Sequence, residues 1–473
     1  MNSLPRTFIL SFLFFAFLIS CGESDPNEPP VLQLLQTEVV ADAAGGNYIL
    51  NISANIPWTV VVNSDWIEVS PVKGSGNGQV ELVLQPNTLE TARSLEARVT
   101  GKGIVRTVNI SQAAVPRGFP EYYIPADQTG MRNISSLSLA KEMGNGWNLG
   151  NSLEAIGGET NWGNPLVTKT LIDQVKAAGF QAVRIPVAWS KFSNPDDYTI
   201  DPSWMARVQE VVDYVIHNGM YAVLNIHWDG GWMQPTYAQQ DAVNERLEKM
   251  WLQIALNFRD YEDRLLFAGT NEVMVTGDYG TPKPEYYIVQ NSFNQTFVDI
   301  VRSTGGRNTY RNLVVQTFNT NIDHGISFFE LPEDSTDDRL MVEVHYYDPY
   351  EFALKEEGGV SQWGKIAVDP LRKASWGDEA HADAQFGKMK TEFVDKGIPV
   401  LVGEYGAISR AAESDHEIYR KYYLEYVSAS MKAKGLIPFY WDNGYAGNHG
   451  FALFDRASGE QIHPELIQAI TGN

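Results

Sequence analysis

The chain has 473 residues, with 58 acidic side chains against 36 basic ones and a net charge of -22. The length suffices for two or three domains, and the composition is that of an ordinary globular protein. Nucleic-acid binding depends on Lys and Arg that neutralise phosphates, and no basic cluster interrupts this acidic chain, so we exclude a nucleic-acid partner. The 12 Trp and 22 Tyr residues provide flat apolar faces with a polar edge, which are suited to binding sugars.

The first 20 residues have the features of an export signal. Residues 7–20, TFILSFLFFAFLIS, form an apolar run that is too short to span a membrane but suits a signal-peptide core. The motif LISC ends at Cys21, the single cysteine, and resembles the lipobox of bacterial lipoproteins. This resemblance implies that Cys21 carries a lipid and that the protein is anchored in the outer membrane, facing the cell surface. A plain secretory signal with an incidental cysteine is the alternative.

A small β-rich domain is predicted after this signal. Residues 21–32 are polar, acidic and rich in proline, which is typical of a tether. Residues 33–114 then alternate short apolar and polar runs, such as NYILNIS and GQVELVL, between Gly, Asn and Pro steps. This pattern predicts an immunoglobulin-like antiparallel β-sandwich. The segment around Trp58 and Trp66 resembles a BACON-type domain, which implies either carbohydrate binding or a spacer; both tryptophans are also candidates for the core.

The remaining chain predicts a (β/α)8 barrel. Residues 115–129 are assigned to a linker, and from residue 130 to 473 apolar strand-like runs alternate with amphipathic helical stretches that mostly end in Gly. Eight such repeats with nearly continuous apolar strands indicate a closed parallel barrel. An open doubly wound sheet is the alternative, but no G-x-G-x-x-G follows the first strand. The predicted strands are 144–151, 181–189, 221–228, 265–273, 312–319, 340–347, 398–406 and 436–443.

Polar residues recur where these strands end, which is where a (β/α)8 barrel carries its active site. Any one of them, such as a lone histidine, is more often structural, but their common register favours a single site. Read strand by strand, they are Asn148 and Asn151, Arg184, His227 and Trp228, Asn271 and Glu272, His345 and Tyr347, Glu404 and Tyr405, and Trp441 and Asp442.

Two glutamates end strongly apolar runs, Glu272 after LLFAGTN and Glu404 after IPVLVG. Alone, Glu272 could be a helix cap or a solvated loop acid. Together, two carboxyl groups across a barrel mouth suit glycosidic bond cleavage, in which one donates a proton and the other attacks the anomeric carbon. Their pKa values must then differ. We expect Arg184 to keep Glu404 ionised, and the charge of Glu404 to keep Glu272 protonated.

Other chemistries lack their motifs. The chain has no P-loop for phosphoryl transfer and no G-x-S-x-G turn for a serine nucleophile. A metal site built from His227, His345 and a glutamate is conceivable, but no H-x-H or H-E-x-x-H pair is present. We therefore predict neither a metal nor another cofactor.

The motifs GWNLGNSLEA, RIPVAW, NIHWDGGW, TNEV, VHYYDPY, VGEYG and WDNG together resemble glycoside hydrolase family 5, most closely its subfamily 4 of endo-β-glucanases and xyloglucanases. The resemblance covers residues 130–473. It implies that Glu272 is the general acid/base and Glu404 the nucleophile of a retaining reaction. It further implies these roles for substrate-site residues: Asn271 holds a sugar hydroxyl, Arg184 lies beside the nucleophile, Tyr347 hydrogen-bonds Glu404, His227 and His345 line the subsites, and Trp441 stacks under a glucosyl ring.

One motif departs from the family, since Trp228 stands in HWDGG where many members have a second histidine. Among the loop aromatics, we expect Trp232 and Trp363 to face sugar, and Asn148 to contact substrate. The resulting prediction is a monomeric endo-glucanase that acts on xyloglucan or a related β-glucan and contacts the membrane only through its lipid. A β-mannanase on the same barrel and a non-catalytic glycan-binding protein are the alternatives.

Overall fold

The computed structural model describes residues 29–89, 91–115 and 120–472 of the chain. It divides into two compact units, an N-terminal one that ends at Ala114 and a C-terminal one that continues from Val115. The predicted signal peptide, Cys21 and most of the predicted tether lie outside the described residues. No helix within the described ranges is long and apolar enough to cross a membrane.

The N-terminal unit is the predicted all-β sandwich, with a four-stranded sheet (order β1-β3-β7-β5) and a five-stranded sheet (order β2-β9-β8-β4-β6). The alternation of the sequence explains the packing, because every second residue of the strands enters one apolar core shared by the two sheets. Its strands are β1 (Leu32–Leu34), β2 (Glu38–Ala41), β3 (Gly46–Ala54), β4 (Pro57–Val61), β5 (Ile67–Ser70), β6 (Lys73–Ser75), β7 (Gly78–Leu84), β8 (Arg93–Gly101) and β9 (Ile104–Gln112).

The two tryptophans of this unit belong to its interior. Trp58 is buried and donates its indole N–H to the carbonyl of Gly76. Trp66 is partly buried against the same core, and the guanidinium of Arg93 lies 4.3 Å from its ring centroid. Neither indole therefore offers the open, flat face that stacking on a sugar requires.

The C-terminal unit is a closed barrel of eight strands, paired in parallel from β10 to β17 and back to β10. This confirms the predicted (β/α)8 barrel. Each barrel strand lies within one of the eight sequence segments assigned to it. The strands are β10 (Gly146–Leu149), β11 (Ala182–Ile185), β12 (Tyr221–Asn225), β13 (Leu265–Ala268), β14 (Leu313–Gln316), β15 (Leu340–Tyr346), β16 (Val400–Tyr405) and β17 (Ile437–Asp442).

Helices surround the barrel and follow the local signals of the sequence. One helix begins at Pro202 with Asp201 as its N-cap, and Gly219 and Gly435 take positive φ just after two helix ends. The helices are α1 (Ser136–Met143), α2 (Lys169–Ala177), α3 (Pro202–His217), α4 (Gln240–Asn257), α5 (Pro284–Ser303), α6 (Ile322–Phe328), α7 (Tyr350–Ala353), α8 (Glu379–Glu392), α9 (His416–Ala433) and α10 (Pro464–Thr471).

The interior of the barrel has an apolar floor beneath a polar layer. Successive residues of a strand alternate between the interior and the surrounding helices. On β15, Met341 belongs to the inner apolar cluster while Val342 and Val344 join the outer core. Glu343 and His345 therefore also point inward, because they lie two and four residues after Met341 towards the carboxyl end of the strand. By the same alternation, Arg184 on β11 points inward, because it lies two residues after Ala182 of the inner cluster.

Part of the segment that the sequence assigns to a linker contacts the barrel unit. Ile124 forms a β-bridge with Gly305, and Asp127 pairs with Arg307 at 3.3 Å. Gly305 is required at this contact because a Cβ atom there would overlap the main chain of Ile124. Residues 120–129 are thus fixed to the C-terminal unit.

Candidate active site

Arg184 is the central residue of the polar layer. It is fully buried on β11, and its guanidinium contacts Glu404 at 2.9 Å and Glu343 at 2.9 Å. It also donates hydrogen bonds to the side-chain oxygens of Asn148, at 3.0 Å, and Asn271. Four strands or strand ends are thereby tied to one cation, and the predicted place of Arg184 beside Glu404 is confirmed. Arg184 acts on the carboxylates and is too deeply buried to bind substrate itself.

Glu404 reaches the site through a local irregularity of β16. The register with β15 shifts at this point, so that Val344 pairs with Val402 whereas His345 pairs with Glu404. Gly403 is the extra residue of this β-bulge, a feature that often re-aims a side chain beside an active site. The Glu404 carboxylate accepts hydrogen bonds from Arg184 at 2.9 Å and from the Tyr347 hydroxyl at 3.1 Å. The expected contact between Tyr347 and Glu404 is therefore present.

Glu272 lies beyond the end of β13, and its side chain is 43 % exposed, far more than that of Glu404. Its carboxylate oxygen lies 2.7 Å from Nδ1 of His345. One atom each of Glu272, His345 and Glu404 lie within 4.8 Å of one another. The two glutamates thus meet at one rim, as predicted, with Glu404 at the bottom and Glu272 open to the approach of a substrate.

The pKa values of the two glutamates shift in directions opposite to those expected from sequence. Burial raises the pKa of Glu404, against the charges of His345 and Arg184. Burial also opposes ionisation of Glu272, but the hydrogen bond and charge of His345 outweigh it and lower the pKa of Glu272. Burial causes the shift at Glu404 and His345 causes the shift at Glu272, and neither could be read from sequence because both follow only from the closed barrel.

His345 is strongly basic in this setting. Burial alone lowers the pKa of an imidazole, but Glu404, Glu272 and Glu343 together raise the pKa of His345 to about 9. His227 behaves in the opposite way, since burial and the charges of Arg184 and His345 hold its pKa well below the usual range. Near neutral pH the site therefore contains one charged and one neutral histidine.

His227 and Trp441 form one wall of the site. Their rings are stacked with 5.8 Å between centroids and 6° between planes, and Nε2 of His227 lies 3.9 Å from Glu404. Trp441 is only partly buried. Asn271, next to Glu272, is buried and accepts a hydrogen bond from Arg184, which fixes its amide. His227 thus stands beside Glu404 with Trp441 against its ring, and Arg184 ties Asn271 to the same carboxylate.

Two expected substrate contacts are wrong. Asn148 is 0 % exposed, and its amide nitrogen donates to three main-chain carbonyls while its oxygen accepts from Arg184, so it positions Arg184. Trp363 is 1 % exposed, donates to the Gly377 carbonyl at 2.7 Å and packs against tyrosines of α9. Its glycine-rich surroundings resembled an open loop in sequence, whereas the segment folds back onto α9.

Trp232, also expected to face sugar, is partly buried. Its indole nitrogen donates to Asp229 at 3.0 Å, and the guanidinium of Arg246 lies 4.4 Å from its ring centroid. One face of the ring is therefore occupied by protein.

Other aromatic side chains are exposed in the loops that follow the strands. Trp228 is 54 % exposed and lines a notch with Glu272, Met233 and Met274. Such exposed rings around the mouth of a barrel suit a long carbohydrate chain. Those in the segments that follow β10, β12, β13, β15 and β17 are Trp162, Trp228, Tyr237, Tyr279, Trp376 and Tyr445, together with Tyr350 at the start of α7.

Sequence reasoning missed Glu343 and Gln316. Glu343 is fully buried, and its carboxylate contacts Arg184, Nε2 of His345 at 3.2 Å and the Gln316 amide at 2.8 Å. Gln316 in turn accepts from the main-chain N–H of Thr270, just before Asn271. The available signal was an acid inside the apolar run LMVEVHYY, two residues before His345 and thus on the same face of the strand.

Glu272, His345 and Glu404 are also the one group in the described ranges whose atoms are close enough to hold a metal ion. The contacts in the site oppose a cation there. Arg184 already lies 2.9 Å from Glu404, and His345 pairs with Glu272 through the nitrogen that a metal would need. The arrangement is suited to moving a proton between these groups.

Comparison with known proteins agrees with this geometry. The sequence profile described as cellulase, glycosyl hydrolase family 5, matches residues 148–447, and the profile of a viral BACON domain matches residues 33–115. The chain is similar to the xyloglucan-specific endo-β-1,4-glucanase of Bacteroides ovatus, with 38 % identity over 99 % of this chain and 96 % of that protein.

Two solved structures are similar to the chain. A Bacteroides ovatus GH5 xyloglucanase in complex with a XXXG heptasaccharide aligns with a TM-score of 0.72 and 38 % identity over 93 % of this chain and 99 % of that one. A GH5-4 broad-specificity endoglucanase from Bacteroides salanitronis aligns with a TM-score of 0.68 and 42 % identity over 72 % of this chain and 95 % of that one.

Proposed function

Because the chain belongs to glycosyl hydrolase family 5, we propose that it is a retaining, endo-acting hydrolase of β-1,4-glucosidic bonds in plant polysaccharide. Xyloglucan is the proposed main substrate, with cellulose and mixed-linkage glucan as related ones. The observation that carries the proposal is the spacing of the two carboxylates, since one oxygen of Glu272 and one of Glu404 lie within 4.8 Å of each other. Retaining enzymes hold their two carboxyl groups about 5–5.5 Å apart, whereas inverting enzymes leave room for a water between them.

The first step forms a bond between Glu404 and the anomeric carbon. Arg184 and Tyr347 hold the Glu404 carboxylate in place. As the bond to the leaving chain breaks, the carboxyl group of Glu272 delivers a proton to the departing oxygen. Glu272 is suited to this role because it is the more exposed carboxyl group and has His345 as a hydrogen-bond partner at 2.7 Å.

The second step releases the sugar from Glu404. Water attacks the anomeric carbon on the face vacated by the leaving chain, and Glu272 accepts its proton. Each displacement inverts the anomeric carbon, so two displacements retain the β-configuration. Proton NMR of freshly released sugar should therefore show the β-anomer first, and initial appearance of the α-anomer would contradict the mechanism.

A panel of polysaccharides tests the substrate. We expect cleavage of xyloglucan, with weaker cleavage of barley-type glucan and carboxymethyl cellulose, and early products of mixed length by size analysis. Xylan and mannan serve as controls. Cleavage of mannan but of no β-glucan would instead identify a β-mannanase, and polysaccharide breakdown unchanged by Glu404→Ala would support a non-catalytic glycan-binding role.

We also propose that lipid on Cys21 anchors the protein in the outer membrane, facing the cell surface. The support is the LISC motif that follows the apolar run, together with an acidic, proline-bearing tether. Fractionation of cells should find the wild-type chain with the outer membrane and the Cys21→Ala chain released from it. Retention of the variant in the membrane would refute anchoring through this residue.

The sandwich then serves as a spacer between membrane and enzyme. Its support is the internal position of both tryptophans, Trp58 in the core and Trp66 beneath Arg93. We further propose that the protein acts as a monomer, since both glutamates and His345 meet within a single barrel unit. Sedimentation of the soluble form should give the mass of a single chain, and calorimetry should find no binding of xyloglucan by the sandwich.

A further inference from the structure

Glu343 is a third buried carboxylate beneath the catalytic pair and has no place in the double displacement described above. It is fully buried on β15, two residues before His345. Both of its oxygens are occupied, one by Arg184 and His345 and the other by Gln316. A buried carboxylate is costly unless it is paired and hydrogen-bonded, and these contacts meet that need. It is too deep to touch a substrate and must act through its neighbours.

His345 bridges Glu343 and the catalytic acid. Its Nε2 lies 3.2 Å from Glu343 and its Nδ1 lies 2.7 Å from Glu272, with Glu404 3.6 Å away. A neutral imidazole carries one N–H and could donate to only one of these carboxylates. The doubly protonated ring donates to both. When Glu343 and Glu272 are both ionised, only an imidazolium satisfies the contacts at both nitrogens.

The surrounding structure fixes Glu343 in this position. Gly403 leaves the space for it, because a Cβ atom at that position would overlap the Glu343 carboxylate. Gln316 donates to Glu343 and also accepts from the main chain and hydroxyl of Thr270. The bulge that aims Glu404 and the loop that carries Glu272 thus both rest on the same buried carboxylate.

We propose that Glu343 is a positioning residue that holds His345 as an imidazolium against Glu272, so that the acid proton of the reaction is shared along the His345–Glu272 hydrogen bond. The inference rests on the proposed function, since it concerns proton delivery in that reaction.

The proton balance follows the two displacements. In the first, the Glu404–C1 bond forms and the C1–O bond breaks, while one proton moves from Nδ1 of His345 through Glu272 to the departing oxygen. His345 is then neutral and keeps its Nε2–H on Glu343, and Glu272 is ionised. In the second, water replaces Glu404 at C1, and its proton returns through Glu272 to His345.

The proposal predicts how the pH profile responds to Glu343→Gln. The groups facing His345 are Glu343 on its own strand, Glu404 on β16, Glu272 after β13, and His227 after β12. Loss of the Glu343 charge lowers the pKa of His345, so its proton is lost at lower pH. The same loss removes a repulsion that raises the pKa of Glu404, which then ionises at lower pH. Both limbs of the kcat/KM profile should move to lower pH, the alkaline one by about one unit.

The experiment measures kcat/KM for xyloglucan against pH in the full chain and in Glu343→Gln. Glu159→Gln is the matched control, because Glu159 is also buried and paired with an arginine, Arg207 at 2.8 Å. We expect the acidic and alkaline limbs of the kcat/KM profile of Glu159→Gln to coincide with those of the wild type. Equal loss of rate at all pH values in Glu343→Gln, with unmoved limbs, would reduce Glu343 to a structural role and overturn the proposal.

Neutron diffraction of the wild-type protein near neutral pH decides the matter even if Glu343→Gln does not fold. We expect deuterium on Nε2 of His345 and a second one between Nδ1 and Glu272. A ring with one deuterium and an ionised Glu272 would refute the shared proton. Failure of the wild type to cleave any polysaccharide would refute the proposed function instead, while the diffraction result would still report the charge of His345.

Discussion

At the scale of single residues, the site separates an accessible carboxyl group from the groups buried beneath it. Glu272 is partly exposed, whereas Arg184, Glu343 and Asn148 are fully buried beneath it. The difference has a kinetic consequence. Loss of a reacting group abolishes the step that this group performs, whereas loss of a supporting group only displaces the reacting group from its position.

Glu272→Ala should lower kcat by roughly three to four orders of magnitude on xyloglucan, since no group would protonate the leaving oxygen or activate water. Added azide should restore turnover of a substrate with a good leaving group, because it can occupy the space of the missing carboxyl and attack the glycosyl-enzyme. The measurement is initial rate with and without azide, together with NMR of the azide product. Equal rescue of Glu404→Ala with the same product would reverse the two roles.

Trp363→Phe tests the correction made by the structure. Trp363 packs against Tyr423 at 5.0 Å between ring centroids and donates to Gly377. Loss of this hydrogen bond and of ring volume should destabilise the barrel by about 1–3 kcal/mol. A thermal melt should show the lower Tm while KM for xyloglucan is unchanged. A raised KM at unchanged Tm would restore Trp363 to the sugar site.

At the scale of secondary-structure elements, the bulge in β16 and the loops after the strands decide the shape of the site. The bulge brings Glu404 opposite His345, and the loops carry exposed aromatics. Neither the bulge nor the exposure of these aromatic residues can be predicted from the local sequence.

Gly403→Ala should impair both folding and catalysis. The added methyl group would overlap the Glu343 carboxylate, so either the bulge or Glu343 must move. We expect a lower Tm and at least about a tenfold fall in kcat, since displacement of a reacting group by an ångström is costly. Gly387→Ala in α8 is the control, because a Cβ atom there meets nothing within 4 Å. Gly387→Ala should leave kcat unchanged and raise Tm slightly.

Trp228→Ala should weaken binding more than chemistry. Trp228 is exposed in the notch that also contains Glu272, so its ring can stack on a sugar. We expect KM for xyloglucan to rise about tenfold with kcat changed less than about threefold. Ile418→Ala, an exposed apolar residue of α9, is the matched control and should behave as wild type. An unchanged KM in Trp228→Ala would remove this ring from the binding surface.

At the scale of the whole molecule, the described chain contains two compact units with separate cores. The residues of the candidate site all belong to the barrel unit. We therefore expect the chemistry of the barrel unit to be independent of the sandwich.

A chain that begins at residue 115 should keep kcat/KM for soluble xyloglucan within about twofold of the full chain, since Arg184, Glu272 and Glu404 all belong to the barrel unit. Reducing-end assays at equal concentration measure this. A fall of more than tenfold at equal Tm would show that the sandwich takes part in substrate binding.

The sequence by itself determined the two architectures and the place of both candidate catalytic glutamates at one rim. The fold followed from period-two alternation in the sandwich and from eight apolar strands alternating with helices in the barrel. Glu272 and Glu404 could be found because each ends a buried run, and a parallel barrel must bring such ends to one rim.

Only the tertiary structure decided which polar residues face the cleft and how they share charge. Asn148 and Trp363 have types and positions common to sugar-binding residues, yet closure of the barrel buries one under Arg184 and the folding of a loop buries the other on α9. Burial raises the pKa of Glu404, His345 lowers the pKa of Glu272, and the pKa of His345 is itself raised by Glu404, Glu272 and Glu343. Charge interactions fall with distance and grow with burial, and neither distance nor burial between strands can be read from a linear chain.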